Sequence, residues 1–275
     1  MSKIDNLPPL KIVLEQYGLR AKKSMGQNFL LDLNLTYKIA SCGGDLSDIN
    51  VIEIGPGPGG LTRSLLSAGA KHVYAFEKDE RCIRALQDVV AASDGRLSII
   101  GGDALKTNVI EQVNAPRAVV ANLPYNIATV LLIGWLKQAK EFHHMSLMFQ
   151  TEVAERIVAG PNTKAYGRLS IMSQWLCETH IVFHIPREAF TPPPKVQSSV
   201  VKFVPRDMPE DAPSFEAMEE VVAAAFGQRR KMLRKSLKAL LGDDVAARLE
   251  SIEIMPTARA EDLTVDDFVR LAQLM

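Results

Sequence analysis

The chain has 275 residues, and its 32 lysine and arginine residues balance 32 aspartate and glutamate residues, so the formal net charge is zero. A hydrophobic content of 47% and a charged content of 23% are typical of a folded globular protein and exclude a disordered or collagen-like chain. Zero net charge also excludes attraction of nucleic acid by the whole surface, so any such contact must be local.

Strand-like and helical patterns alternate through the first two thirds of the chain. The strand-like runs are residues 51–55, 72–77, 97–101, 117–122 and 145–150, and the helical patterns are residues 61–68, 80–92 and 127–140. This alternation predicts a Rossmann-like α/β fold with a mostly parallel sheet. Runs 179–185 and 197–204 have no helix between them, which predicts an antiparallel hairpin at the end of the sheet.

The last quarter of the chain has a different pattern. Residues 207–213 are acidic and contain two prolines, which predicts a linker, and Ser214 is expected to cap the first helix of an all-helical remainder. We therefore predict an α/β domain over residues 1–206 and a small helical domain over residues 207–275.

Cysteine spacing and the longest apolar run indicate the compartment. The most apolar run, residues 127–136, has about half the length that a bilayer requires, and the N-terminus lacks a secretory signal. Cys42, Cys82 and Cys177 fit neither a disulfide framework nor a zinc motif. We expect a cytoplasmic protein, a monomer, with no membrane or metal partner.

A glycine-rich loop follows the first predicted strand. Gly55, Gly57 and Gly60 satisfy the dinucleotide pattern G-x-G-x-x-G, and Glu77 ends the next strand 22 residues after Gly55. A carboxylate there can accept hydrogen bonds from both ribose hydroxyls. The loop predicts a nucleoside-bearing cofactor of open identity, a nicotinamide included; the alternative is a turn that only packs helix on strand.

Two later strand ends favour chemistry on an amine. Asp103 can accept a hydrogen bond from an adenine amino group. Asn122 and the carbonyl of Leu123 can accept the two N–H bonds of an exocyclic amine, Pro124 fixes the backbone, and Tyr125 can stack on a flat base. The alternative is a plain Asn-x-Pro turn.

Basic residues are concentrated near the C-terminus. Residues 226–240 contain six basic and no acidic residues, whereas residues 207–225 contain six acidic and no basic residues. At helical spacing one arc collects five of the cations, Arg230, Lys231, Arg234, Lys235 and Lys238, with Arg229 the exception; Gly227 can divide this helix. We predict contacts to RNA phosphates, extended by Lys22 and Lys23; the alternative is a solvated charged face.

Together these motifs resemble the small-subunit (16S) ribosomal RNA adenine N6,N6-dimethyltransferases, whose bacterial members are linked to kasugamycin sensitivity. The resemblance runs from about Lys22 to the C-terminus. The motifs that carry it are Gly26-Gln-Asn-Phe-Leu30, Glu53-x-Gly-x-Gly-x-Gly59, Phe76-Glu77, Gly102-Asp103, Asn122-Leu-Pro-Tyr125, Glu152-Val-Ala-Glu-Arg156, Tyr166-Gly-Arg-Leu-Ser170, Phe190-x-Pro-x-Pro-x-Val196 and Gln228-Arg-Arg-Lys231.

The resemblance implies S-adenosylmethionine as cofactor and four methyl transfers to two adjacent adenosines. Those adenosines lie in a hairpin loop near the 3′ end of 16S rRNA, within the 30S subunit or its precursor, which implies a role in small-subunit biogenesis. It also implies a class I methyltransferase domain over residues 1–206, with residues 1–30 folding over the cofactor, and an rRNA-binding domain over residues 207–275.

Individual residue roles are implied by the same resemblance. Asn28 and Leu30 line the cofactor, Gly55 contacts its methionine end, Glu77 its ribose and Asp103 its adenine, while Asn122 lies between cofactor and target. Leu123, Pro124 and Tyr125 complete the catalytic motif. Phe190 faces Tyr125 across a flipped adenine, unless it is a core-packing residue.

Three other functions are compatible with parts of the sequence. An assembly factor that acts by binding needs the basic segment but not the catalysis. A large-subunit rRNA methyltransferase of the macrolide-resistance type has the same chemistry on a different RNA. A nicotinamide-dependent oxidoreductase rests on the glycine loop alone and gives no reason for Asn122–Tyr125.

Overall fold

The computed structural model describes residues 3–22 and 26–275; Lys23, predicted to extend the basic surface, lies outside the described residues. The strands of the described part are β1 (Phe29–Leu30), β2 (Asn50–Ile54), β3 (His72–Glu77), β4 (Leu97–Gly101), β5 (Arg117–Ala121), β6 (His144–Gln150), β7 (Cys177–Ile185), β8 (Phe190–Thr191) and β9 (Ser198–Pro205). The predicted strand runs are therefore confirmed, with ends that shift by no more than two residues.

The α-helices of the described residues are α1 (Leu10–Gln16), α2 (Leu33–Ala40), α3 (Gly60–Ser67), α4 (Glu80–Ala85), α5 (Gln87–Ala92), α6 (Val109–Gln112), α7 (Tyr125–Leu136), α8 (Thr151–Val158), α9 (Arg168–Leu176), α10 (Phe215–Gly227), α11 (Leu233–Ser236), α12 (Lys238–Leu241), α13 (Val245–Ser251) and α14 (Val265–Ala272). The predicted helix 80–92 is divided after Ala85, and the helix predicted over 127–140 begins earlier, at Tyr125, and ends at Leu136. No helix in the described ranges is both long and apolar enough to cross a membrane.

Among the described residues, seven strands form one sheet in the order β4-β3-β2-β5-β6-β9-β7. The pairs β3–β4, β2–β3, β2–β5 and β5–β6 are parallel, and β6–β9 is antiparallel. Strands β7 and β9 are neighbours at the edge of the sheet, where the two late apolar runs were predicted. All five residues of β2 and of β5 are buried, as expected for strands covered on both faces.

Parallel pairing aligns the ends of the central strands. Ile54 at the end of β2 lies opposite Phe76, and Glu77 at the end of β3 lies opposite Gly101 at the end of β4. The loops that follow these strands therefore begin at the same edge of the sheet. In open α/β sheets, ligands bind at the carboxyl ends of the strands.

The chain divides into two compact units. The first contains Met1–Ala154 and His180–Pro205, and the second contains Glu155–Thr179 and Arg206–Met275. This division differs from the predicted domains 1–206 and 207–275, because residues 155–179 belong to the second unit. Their side chains contact the rest of that unit: the rings of Trp175 and Phe215 lie 6.2 Å apart, and Tyr166 donates a hydrogen bond to the Leu263 carbonyl at 2.9 Å.

The second unit begins as predicted and then departs from the prediction. The Ser214 hydroxyl accepts a hydrogen bond from the Ala217 amide at 3.1 Å and caps α10. The continuous helical arc considered for residues 226–240 is not formed, because α10 ends at Gly227, the residue at which a division was expected. Met232 adopts an extended backbone and forms an antiparallel bridge with Arg259, a pairing that interrupts the helix before α11 begins.

Candidate active site

A cavity of about 350 Å³ lies in the first unit at the carboxyl ends of β2, β3, β4 and β5. Its volume is within the range of small-molecule sites. The predicted cofactor-binding residues all line this one cavity: Asn28, Leu30, Gly55, Glu77, Asp103 and Asn122. Leu123, Pro124 and Tyr125 of the predicted catalytic motif line it as well.

The glycine loop between β2 and α3 needs glycine for conformation and for space. Gly55 and Gly57 have φ values of +67° and +57°, which L side chains rarely adopt. A Cβ atom on Gly57 would lie 3.0 Å from the Phe29 ring, and one on Gly60 would lie 2.8 Å from the Leu30 carbonyl oxygen. The missing side chains therefore let the N-terminal segment approach the loop.

Glu77 joins the end of β3 to the glycine loop. Its carboxylate accepts hydrogen bonds from the backbone amides of Gly57 at 3.1 Å, Lys78 at 2.8 Å and Asp79 at 2.7 Å. Burial raises the pKa of Glu77, and these backbone donors oppose that rise. An ionised carboxylate offers about four acceptor positions, so capacity remains for a ribose hydroxyl.

Asp103 lies beside a cation that sequence analysis did not identify. The Lys78 ammonium donates to its carboxylate at 2.8 Å, and the Leu105 amide donates at 3.1 Å. The Lys78 hydrogen bond lowers the pKa of Asp103, so this carboxylate is ionised at neutral pH and accepts hydrogen bonds. No sequence motif marks Lys78, since its pairing depends on the neighbouring ends of β3 and β4.

Glu53 is a second lining residue to which the sequence analysis gave no role. It lies in the buried strand β2, and its carboxyl accepts a hydrogen bond from the Thr62 hydroxyl at 2.7 Å. Burial raises the pKa of Glu53 to about 8. The available signal was an ionisable residue inside a wholly apolar strand pattern.

The N-terminal segment is tied to two distant motifs. In the antiparallel pair β1–β8, Phe29 lies opposite Thr191 and Leu30 lies opposite Phe190. The side-chain amide of Asn122 donates a hydrogen bond to the Asn28 carbonyl at 3.3 Å. This contact uses the donor end of the Asn122 amide and leaves its oxygen available as an acceptor, as the sequence interpretation requires.

Tyr125 is the first residue of α7, directly after the fixed backbone of Pro124. Its hydroxyl and that of Ser198 are 2.5 Å apart and share a hydrogen bond. Burial raises the pKa of Tyr125. The ring is half-buried and lines the cavity, so one of its edges is anchored while the ring remains beside the ligand space.

Phe190 is not among the described residues that line the cavity. Its side chain is 1% exposed and belongs to a hydrophobic cluster that includes Leu30, its partner across the β1–β8 pair. The structure thus places the ring in the core, which fits the packing alternative. A role for Phe190 opposite Tyr125 stays a prediction.

The predicted RNA-binding residues lie in the second unit. Arg230, Lys231, Arg234, Lys235 and Lys238 are all exposed, while Leu233 and Leu237 between them are buried. The separation of charged and apolar side chains is therefore retained although the helix is broken. Lys238 pairs with Asp243 at 2.9 Å. In the described part of the chain, no group of three or more His, Cys, Asp or Glu residues is arranged to hold a metal ion.

Comparison with protein families gives one match that spans most of the chain. The model of the family described as ribosomal RNA adenine dimethylase matches residues 18–275. The chain is 54% identical over 269 residues to the ribosomal RNA small subunit methyltransferase A of Rhodospirillum rubrum, covering 98% of this chain and 93% of the relative. It is 56% identical over 276 residues to the protein of that name from Afipia carboxidovorans, covering 99% of this chain and 97% of the relative.

Solved structures share the architecture. A dimethyladenosine transferase from Plasmodium falciparum matches with a TM-score of 0.77 and 28% identity, covering 87% of this chain and 94% of that one. The 23S rRNA methyltransferase ErmE matches with a TM-score of 0.68 and 25% identity, covering 90% and 99%.

Proposed function

The chain belongs to the ribosomal RNA adenine dimethylase family, and on this basis we propose that it methylates two adjacent adenosines of small-subunit rRNA. It is an S-adenosylmethionine-dependent enzyme that places two methyl groups on N6 of each adenosine, four in all. The proposed target is the hairpin loop near the 3′ end of 16S rRNA, in the 30S subunit or its precursor.

One observation supports the proposal above the others: a single cavity joins nucleoside-binding groups to an amine-binding motif. Glu77 and Asp103 supply acceptors suited to ribose hydroxyls and to an adenine amino group, and the glycine loop leaves room for a ligand beside the backbone. Asn122–Tyr125 lines the same space. A nicotinamide-dependent enzyme has no use for this second group.

The residues of the chain have distinct tasks in methyl transfer. When bound, S-adenosylmethionine supplies a methyl group that is already activated as part of a sulfonium. Asn122 and the Leu123 carbonyl accept hydrogen bonds from N6 of the adenine, and Tyr125 stacks on the base. These contacts orient the nitrogen lone pair toward the methyl group, and alignment of this kind supplies much of the rate enhancement.

Removal of the amine proton does not require a dedicated catalytic base. The nitrogen loses its proton after it becomes positively charged, so no strong base is needed. Extruding the adenine costs a few kcal/mol, less in a loop than in a duplex, which favours a hairpin-loop target. The monomethylated amine has one N–H bond left, so Asn122 and Leu123 are not both required in the second transfer.

The choice of RNA follows the relatives. Those more than half identical to this chain are named small-subunit methyltransferases, whereas ErmE, named for 23S rRNA, is 25% identical. We therefore favour the small subunit as partner over the large-subunit alternative. Action on ribosomal subunits supports a cytoplasmic location, and we propose that the enzyme works there as a monomer without a metal.

Transfer of labelled methyl groups tests this proposal. Under-methylated small subunits are incubated with the protein and labelled S-adenosylmethionine, with naked large-subunit rRNA as the comparison. We expect label in small-subunit rRNA only. Label confined to large-subunit rRNA would move the assignment to the resistance-type enzymes, and label in neither, with cofactor bound, would favour a binding role in assembly.

A further inference from the structure

Arg229 differs from the five exposed cations that follow it, because its guanidinium is used inside the second unit. Its Nε donates to the Glu261 carboxylate at 2.8 Å. Its Nη1 donates to the Lys164 carbonyl at 3.0 Å, and its Nη2 donates to the Thr163 carbonyl at 3.2 Å. The planar fork of arginine is thus directed at a loop rather than at solvent.

The contacted segment, residues 162–168, which we call the 162–168 loop although it includes the first residue of α9, is fixed at further points. The Asn162 amide donates to the Glu261 backbone carbonyl at 2.8 Å. The buried Tyr166 hydroxyl donates to the Leu263 carbonyl at 2.9 Å. Glu261 therefore holds the loop directly through its backbone and indirectly through Arg229. The 162–168 loop is ordered by hydrogen bonds along its length, which lowers the entropic cost of binding a partner.

Two side chains of this loop are exposed cations. Lys164 and Arg168 lie on the surface, and neither pairs with an acidic side chain of the residues that the structure describes. Arg230 and Lys231 are also exposed, and neither pairs with an acidic side chain in the described part of the chain. The Arg229 contacts place the Lys164 backbone within hydrogen-bonding distance of the residue that precedes Arg230. The segment that carries Lys164 and Arg168 is thus linked to the segment that carries Arg230 and Lys231 through the Arg229 side chain.

We propose that the 162–168 loop is part of the RNA-binding surface of the second unit. Lys164 and Arg168 contact phosphate groups of the rRNA, and Arg229 is a positioning residue that holds the loop beside Arg230 without contacting RNA itself. Clustered cations without acidic partners repel one another, and a bound polyanion such as RNA offsets that repulsion. The inference rests on the proposed function and extends its RNA surface beyond the basic C-terminal segment.

The loop cations are tested by their effect on salt-dependent binding. The full-length variant Lys164→Gln/Arg168→Gln is titrated with under-methylated small subunits at several salt concentrations. We expect affinity to fall about tenfold and the slope of log affinity against log salt to decrease by about one to two. The matched control Lys11→Gln/Lys71→Gln removes the same charge from exposed positions of the first unit.

The control variant is expected to bind within about twofold of the wild type, since scattered surface charges contribute little at physiological salt. Unchanged affinity of the loop variant would overturn the assignment of Lys164 and Arg168. An equal loss in both double variants would also overturn it, because the effect would then reflect net charge.

Arg229 is tested by two substitutions that separate positioning from phosphate contact. Arg229→Lys keeps the charge but loses the fork, and Glu261→Gln removes a negative charge beside the surface. If Arg229 contacted phosphate directly, Arg229→Lys would bind RNA nearly as well as the wild type, because the charge is kept. Glu261→Gln would then bind RNA more strongly, because a negative charge is removed. The proposal predicts instead that both variants bind small subunits about three- to tenfold more weakly and that amide exchange in residues 162–168 accelerates.

Separate readouts distinguish this inference from the proposed function. All variants should bind S-adenosylmethionine as the wild type does by calorimetry, since none of the changed residues lines the cavity. Wild-type methylation of small subunits together with full-affinity binding by the loop variant would contradict the loop assignment alone. A wild-type protein that binds the cofactor but neither binds nor methylates small subunits would contradict the proposed function itself.

Discussion

The side-chain amide of Asn122 donates a hydrogen bond to the backbone carbonyl of Asn28 at 3.3 Å, across 94 residues of sequence. This bond joins residues 26–30 to residues 122–125, the motif proposed to hold the target amine, and both segments line the cavity. It also orients the Asn122 amide, so that the oxygen rather than the nitrogen is left for the amine. If the proposed roles hold, one side chain serves both cofactor enclosure and amine recognition.

Replacing Glu77 tests the nucleoside half of the cavity. Glu77→Gln keeps one acceptor oxygen for the backbone amides but converts the other to a donor, which cannot accept from a ribose hydroxyl. We expect the Kd for S-adenosylmethionine to rise about tenfold, as for loss of one charge-assisted hydrogen bond. Isothermal titration calorimetry measures this Kd. Glu80→Gln, at an exposed position, is the charge-matched control. Equal affinities of the two variants for S-adenosylmethionine would show that Glu77 does not bind the cofactor.

Two glycines form a matched pair for the close approach of the N-terminal segment. A Cβ on Gly60 would lie 2.8 Å from the Leu30 carbonyl oxygen, whereas a Cβ on Gly134, within α7, meets no atom within 4 Å. Gly60→Ala should lower the Tm and weaken cofactor binding. Gly134→Ala should stabilise the protein by about 0.5–1 kcal/mol, because it removes a helix-interior glycine. Thermal unfolding of both variants checks the pair, and equal shifts would argue against the contact.

The Tyr125–Ser198 hydrogen bond separates ring stacking from ring anchoring. Tyr125→Phe and Ser198→Ala each remove the bond but leave an aromatic ring, so both should reduce kcat by less than about tenfold, consistent with about 1 kcal/mol. Tyr125→Ala removes the stacking surface and should reduce kcat about 100-fold through misplacement of the amine. Steady-state methylation assays give the three values. A Tyr125→Phe variant as impaired as Tyr125→Ala would assign the function to the hydroxyl instead.

Glu53 makes stability depend on pH. Its folded-state pKa of about 8 lies above the ordinary glutamate value of 4.5. Between pH 4.5 and pH 8 the folded state keeps a proton on Glu53 that the unfolded state has lost. The contribution of Glu53 to the free energy of unfolding is therefore greatest at low pH and decreases as the pH rises toward 8. The free energy of unfolding should fall by about 1.4 kcal/mol per pH unit from this group.

Urea unfolding at pH 5.5 and 7.5 measures that dependence. Glu53→Gln keeps an acceptor for the Thr62 hydroxyl and has no proton to lose, so its stability should fall less over the same interval. Parallel losses in wild type and variant would show that Glu53 titrates normally.

Residue type alone predicted much of the fold and of the cavity. The β-branched runs became strands because buried parallel strands need apolar residues on both faces. The glycine-rich run became a loop in which Gly55 and Gly57 have φ values that side chains rarely adopt. The acidic strand end at Glu77 needed no tertiary information beyond the alternation of strands and helices.

Contacts that depend on distant partners could not be predicted from the local sequence pattern. The glycine at position 227 indicated a possible division of the helix, but helical periodicity does not encode the bridge between Met232 and Arg259 that follows it. Phe190 is buried because β8 pairs with β1, 160 residues earlier at Leu30. Lys78 meets Asp103 only because β3 and β4 end side by side.

Nucleoside mass spectrometry of the methylated RNA tests the central claim most directly. Under-methylated small subunits are treated with S-adenosylmethionine and either wild-type protein or Asn122→Ala. Thermal unfolding checks that the variant has the same Tm as the wild type. We expect N6,N6-dimethyladenosine at two adjacent loop adenosines with the wild type and at least 100-fold less with the variant. Dimethyladenosine formed equally well by Asn122→Ala, or no methylated adenosine with cofactor-bound wild type, would contradict it.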